Sequence, residues 1–122
     1  MRRAMLTIYT YANCETCRRA AKWLRAHDVA FVERPIRETP PSETELRRML
    51  KALGGERRRL LNTSGRDYRE QKLGEKLPAL SEAALVALLA GNGNLVKRPF
   101  VLGDGVALTG FDEAAWASAF LG

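Results

Sequence analysis

Residues 5–35 read MLTIYTYANCETCRRAAKWLRAHDVAFVERP, and their pattern decides the fold. Met5 to Tyr11 are rich in β-branched and aromatic residues, which predicts a strand. Asn13-Cys14 breaks it. From Glu15 the period changes: Cys17, Ala20, Ala21 and Leu24 fall at i, i+3, i+4 and i+7, one face of an amphipathic helix. His27-Asp28 ends that helix, and Val29 to Arg34 predicts a second strand. The stretch is therefore a β-α-β unit with Cys14-Glu15-Thr16-Cys17 at its first strand-to-helix junction.

Working outward, Pro35, Pro40 and Pro41 mark a connection. Ser42 with Glu45 three residues on fits a capping box. Leu46, Met49, Leu50 and Leu53 continue as a helical stripe, and Gly54-Gly55 stops it. A short helix is predicted over Arg57 to Leu61, and Asn62-Thr63-Ser64-Gly65 is turn chemistry. Ser81 can cap an apolar helix, Glu82 to Ala90, ended by Gly91-Asn92-Gly93. Residues 42–92 thus read as an all-helical insertion between two halves of a sheet.

Beyond the insertion, Pro99–Leu102 and Val106–Thr109 flank Gly103-Asp104-Gly105, a β-hairpin pattern. Asp112 caps a final helix, with Phe111 and Trp116 placed as a hydrophobic staple. Trp116, Ala119 and Phe120 are its expected buried face. The whole reads as one α/β domain over residues 1–122, β-α-β then helices then β-β-α.

The CxxC carries the chemistry. A helix N-terminus holds unpaired amide donors and partial positive charge. A cysteine there has its thiolate stabilised, and the thiolate is the nucleophile. Arg18 and Arg19 add cations and Glu15 opposes them, so a lowered pKa is expected for Cys14. Cys17 lies on the buried stripe. Cys14 is therefore the expected exposed attacker and Cys17 the shielded resolver, which releases product from a mixed disulfide. The other reading is a structural pair with one buried member.

Composition narrows the remaining classes. The chain has 122 residues, a length typical of one domain, with two Cys and one His. These cannot supply four protein ligands to a closed zinc site. His27 reads as a helix C-terminal residue that suits the dipole. Twenty Lys+Arg, fifteen of them Arg, stand against fourteen Asp+Glu, giving +6. The excess is dispersed, and the only triple run, Arg57-Arg58-Arg59, has no interleaved aromatics. A solvated helix face is the leading reading there, with a nucleic-acid or acidic-protein contact as the alternative. Met1-Arg2-Arg3 is followed by a short, broken apolar stretch, so neither a secretory leader nor a membrane span is expected. The expectation is a cytoplasmic chain with reduced thiols.

YTYANCETCRRAAKWL, LLNTSG, LVKRPFVL and GFDEAAW, in that order, resemble the ArsC/Spx/YffB family over roughly residues 5–120. The resemblance implies a thioredoxin-like fold with a helical insertion. It places the catalytic cysteine on Cys14 and an Arg-Pro pair on Arg98-Pro99. Thiol-disulfide enzymes of that fold carry a cis-proline there, so a cis Arg98-Pro99 bond is expected, with the guanidinium near the Cys14 sulfur. A plain strand-opening proline is the alternative. Cys14, Cys17 and Arg98 are then the catalytic set, and Asn13, Arg18, Asn62 and Pro99 the substrate-binding set.

The departures separate the members. Glutaredoxin-coupled arsenate reductases hold the oxyanion with three arginines. The first falls on Asn62 here and the last near Gly110, so only Arg98 keeps its position, although Arg66 or Arg69 could serve from the same loop. The Cys-x5-Arg loop of the other class is absent, since positions 20 and 23 are Ala and Trp. The CxxC opening is similar to Spx, a redox-responsive regulator that binds RNA polymerase. The Spx glycine that contacts polymerase falls near Glu56, displaced from Gly54 and Gly55, and no Spx-type tail follows Gly122. LLNTSG is more similar to the YffB-like branch. The leading expectation is a thiol-dependent oxidoreductase that reduces a disulfide or small oxidised substrate. The alternatives are a polymerase-binding regulator and an arsenate reductase. Electrons would come from glutathione or another thiol, or from a glutaredoxin or thioredoxin partner. No bound cofactor is expected, because Gly91-Asn92-Gly93 lacks the rest of a dinucleotide fingerprint.

Overall fold

The computed structural model of the protein describes residues 6–121. The expected strand start at Met5, the Met1-Arg2-Arg3 segment and Gly122 lie outside the described residues. Elements run β1 (Leu6–Thr10), α1 (Glu15–Ala26), β2 (Phe31–Pro35), α2 (Glu43–Ala52), α3 (Arg66–Glu70), α4 (Leu73–Lys76), α5 (Glu82–Ala90), β3 (Phe100–Gly103), β4 (Val106–Thr109) and α6 (Glu113–Leu121). Short 3₁₀ turns at Arg57–Leu60, Leu77–Ala79 and Gly93–Leu95 complete the insertion. The sheet order is β2-β1-β3-β4, with β1 and β2 parallel and the other pairs antiparallel. Along the chain this is the expected thioredoxin-like succession of β-α-β, helices and β-β-α.

β1 and β3 are central strands, so side chains on both faces are covered. On one face Leu6, Ile8 and Val101 pack against Ala20 and Leu24 of α1 and Trp116 of α6. On the other, Tyr9, Phe100 and Leu102 pack against the insertion, including Leu46 and Met49 of α2 and Leu85 and Leu89 of α5. The capping box forms as expected: Ser42 Oγ accepts from the Glu45 amide at 3.1 Å, and Glu45 Oε1 accepts from the Ser42 amide at 2.9 Å. The same carboxylate oxygen accepts from Tyr9 Oη at 2.8 Å, which ties the start of α2 to β1.

Several expectations need correction. β2 begins at Phe31, not Val29, because Asp28 turns the chain at φ +56° and the Val29 amide bonds back to Leu24 O. Pro35 ends β2 inside the ladder, which an edge strand tolerates. The insertion runs on to Leu95, and α3 and α4 have no counterpart in the sequence reading; they are short and not periodic. Leu61 also makes an isolated bridge to Val96. In α6, Trp116 is buried and Phe120 half-buried, but Ala119 is exposed. At about 100° per residue, Ala119 lies about 60° to one side of Trp116 while Phe120 lies about 40° to the other. The buried stripe leans toward Phe120 and half-buried Ala117.

Two features bring distant residues to one end of the sheet. β1 and β2 are parallel, so the residues that follow both strands emerge together. β3 starts opposite the end of β1, with Phe100 paired to Tyr9, so Arg98-Pro99 arrives at the same end. The turn after β2 is anchored there: the Ile36 amide bonds to Thr10 O at 2.8 Å, and the Ile36 side chain is fully buried. Gly93 packs so closely on this turn that a Cβ would lie 1.8 Å from Ile36 O. Only glycine allows that approach.

Candidate active site

Cys14 is the N-cap of α1, in extended backbone at φ −101° and ψ 112°. Its Sγ accepts from the Cys17 amide at 3.3 Å, satisfying one of the amides that a helix start leaves open. Its own amide bonds to Tyr11 O at 3.0 Å, and its carbonyl accepts from Arg18 N at 3.1 Å. Cys17 is buried on the α1 stripe beside Ala20, Ala21 and Leu24, as its spacing predicts. Both cysteines are free thiols. Cys14 is half-buried where the sequence reading expected an exposed attacker, and Cys17 is buried beneath it as expected.

The two thiols are driven apart electrostatically. Burial raises the Cys14 pKa, but it is outweighed by hydrogen bonds from the Cys17 thiol and amide and by the charge of Arg98, so Cys14 lies below its ordinary value. Burial pushes Cys17 up to about 12, reinforced by the bond its thiol gives to Cys14 and by the negative charge there. Cys14 therefore gives up its proton before Cys17 does.

Arg98 reaches this end through a cis Arg98-Pro99 bond, as expected, with Pro99 buried. Its guanidinium carbon lies 4.8 Å from the centroid of the Tyr11 ring. A second guanidinium, that of Arg37, lies 4.9 Å from the same centroid and donates to Tyr11 Oη at 2.8 Å. Asn13 Nδ2 donates to Tyr11 Oη as well, at 3.3 Å. These donors and cations hold the Tyr11 pKa below its ordinary value, first through Asn13 and then through the charge of Arg37.

The sequence-predicted residues divide cleanly. Cys14, Cys17, Arg98, Pro99 and Asn13 meet around Tyr11 and the start of α1. Arg18 turns away: its guanidinium donates to Ala12 O at 2.6 Å, so it acts as a loop brace. Arg19 lies over the Phe111 ring at 5.6 Å. The cation that helps to lower Cys14 is Arg98. Asn62 is held within the insertion, its amide bonding to Leu95 O and its side chain to Asn94 O. Arg69 donates to Ser64 O.

Tyr11 and Arg37 were missed. Their signal was present, since each stands just beyond the end of one of two adjacent parallel strands, where α/β folds place ligands. Among the described residues no cluster of three or more Cys, His, Asp or Glu could hold a metal ion. No described helix is long and apolar enough to cross a membrane.

The sequence matches the ArsC family over residues 9–119. It is 43% identical over 108 residues to the uncharacterized protein YusI of Bacillus subtilis, covering 88% of this chain and 92% of that protein. It is 30% identical over 109 residues to the global transcriptional regulator Spx of Listeria monocytogenes, covering 89% of this chain and 82% of the regulator. Among solved structures, an ArsC family related protein from Bacteroides fragilis superposes with a TM-score of 0.87 at 37% identity, over 93% of this chain and 96% of that one.

Proposed function

The chain belongs to the ArsC family, and from that premise we propose that it is a thiol-dependent oxidoreductase acting on a disulfide or another small oxidised substrate. One observation carries the reading: Cys14 Sγ caps α1 and accepts the Cys17 amide, while Cys17 is buried behind it. The Cys14 thiolate attacks one sulfur of the substrate disulfide, the S–S bond breaks, and the leaving thiolate takes the electron pair. Forming the mixed disulfide removes the negative charge on Cys14 that helps to raise Cys17. Cys17 then gives up its proton and attacks Cys14 Sγ, releasing the second thiol. The protein dithiol becomes a disulfide and the substrate disulfide becomes two thiols. Glutathione, another small thiol, or a glutaredoxin or thioredoxin partner would restore the dithiol.

The test is a trap. Cys17→Ser should accumulate a mixed disulfide on Cys14, detected by mass, and so identify the substrate. Full turnover by Cys14→Ser would sink the assignment. Arsenate reduction through three arginines finds less support, because Asn62 stands at the first position and is bonded to Asn94.

The likeness to Spx supports a second reading, a redox-sensitive regulator that docks on RNA polymerase. A groove of about 550 Å³ lies beside the run Arg57-Arg58-Arg59 and is lined also by Gly55, Glu56 and Tyr68. A polymerase pull-down with and without a thiol reductant separates the two readings. The oxidoreductase reading expects no binding in either state.

A further inference from the structure

We propose that Tyr11, Arg37 and Arg98 form a carboxylate subsite beside Cys14, so that the protein selects small disulfides carrying a carboxylate a few bonds from the sulfur. This rests on the exchange reading above and adds a substrate class to it. Two guanidiniums converge on one aromatic ring, Arg37 at 4.9 Å and Arg98 at 4.8 Å from its centroid. Both cations add positive potential at this ring, which favours an anion there. Among the described residues neither guanidinium pairs with a carboxylate, so neither charge is already neutralised.

The subsite is built rather than incidental. Arg37 leaves a turn fixed by the buried Ile36 side chain, by the Ile36 amide on Thr10 O and by the Thr39 amide on Pro35 O. Its guanidinium and the Asn13 amide both donate to Tyr11 Oη, at 2.8 Å and 3.3 Å. With both acceptor positions filled, the phenol has its own O–H left to donate. A planar carboxylate can take that O–H together with a guanidinium edge, a match that a point cation does not offer. Tyr11 is also linked directly to the nucleophile, because Cys14 N bonds to Tyr11 O at 3.0 Å. Arg98 joins the ring to the sulfur, since its guanidinium lies at the Tyr11 ring and also acts on the Cys14 thiol. In the first step Cys14 attacks one sulfur of the bound disulfide, the S–S bond breaks, and the departing half leaves as a thiolate with the electron pair.

Three symmetric disulfides test this on the full-length Cys17→Ser chain, which isolates the first step: dithiodipropionate (anionic), bis-hydroxyethyl disulfide (neutral) and cystamine (cationic). Each rate is divided by its rate with free mercaptoethanol. The expected result is a preference for dithiodipropionate over cystamine that falls about fivefold when Arg37→Gln is added, and by less with Arg37→Lys. An unchanged preference in Arg37→Gln would overturn the subsite, while reaction of the neutral disulfide would still uphold exchange at Cys14. If the neutral disulfide does not react, the exchange reading fails. The subsite is then judged by the Nε–H NMR signals of Arg37 and Arg98 on addition of dithiodipropionate: shifts in both uphold it, and shifts in neither overturn it.

Discussion

Two regions of this molecule are rich in arginine, and they use it in opposite ways. In the helical insertion most guanidiniums are spent on the fold. Arg57 donates to Leu77 O at 3.2 Å and Leu80 O at 2.5 Å, and Arg48 to Gly103 O and Val106 O. Arg47 pairs with Glu43 and Glu82, and Arg59 with Glu56. At the thiol end, Arg37 and Arg98 lie over Tyr11 with no carboxylate partner among the described residues. A net charge of +6 says nothing about which cations are available to a substrate. Local partners decide that, and at the thiol end two cations share one aromatic ring.

The contrast can be broken at once where the two regions touch. Gly93→Ala forces a Cβ into the Ile36 carbonyl, which cannot yield without moving the turn that carries Arg37. A loss of about 3 kcal/mol in urea unfolding is expected, together with a weaker anion preference at Cys14. Loss of one effect without the other would mean that the regions are less coupled than the contact implies. Next in size, Arg57→Ala should cost about 2 kcal/mol by stranding two half-buried carbonyls. Its alkylation profile at Cys14 should match the unsubstituted protein.

Arg98→Gln should reverse that pattern, with less than about 0.5 kcal/mol lost in unfolding, since its guanidinium supports no carbonyl or carboxylate among the described residues. What it should change is the pH at which Cys14 is alkylated by iodoacetamide. With Arg98 present the midpoint lies below the ordinary thiol value of 9.0, and without it the midpoint rises. The sign carries over to stability. A thiol whose folded pKa is depressed contributes stability above the unfolded value and loses it as pH falls through the folded one. Cys17, raised to about 12, contributes below its unfolded value and loses that contribution as pH climbs toward 12. The smallest effect belongs to Arg47→Gln, about 0.3 kcal/mol, because its ion pairs are exposed.

The sequence carried the thiol end further than the insertion, for physical reasons. The stripe Cys17, Ala20, Ala21 and Leu24 has the period of a helix and packs as such. Ser42 and Glu45 form their box because both partners are local. By contrast, α3 and α4 are single turns whose residues gain order from contacts distant in sequence, so no period announces them. Arg18 misled for a related reason. It is adjacent to the cysteine in the chain, but a helix directs its side chain back to Ala12. Arg37, more than twenty residues away, arrives beside the same ring because parallel strands end together. Spacing along a helix is legible one residue at a time, and the register between strands is not.

The hydrogen bond from the Cys17 amide to Cys14 Sγ makes the helix a gauge of its own chemistry. A thiolate is a strong acceptor and a disulfide sulfur a poor one. Each time Cys14 is oxidised or derivatised, the first turn of α1 loses its cap. The amide proton of Cys17 should then exchange with solvent faster, and it should slow again on reduction. A single backbone position thus keeps a running record of the redox state, readable without any label on the sulfur.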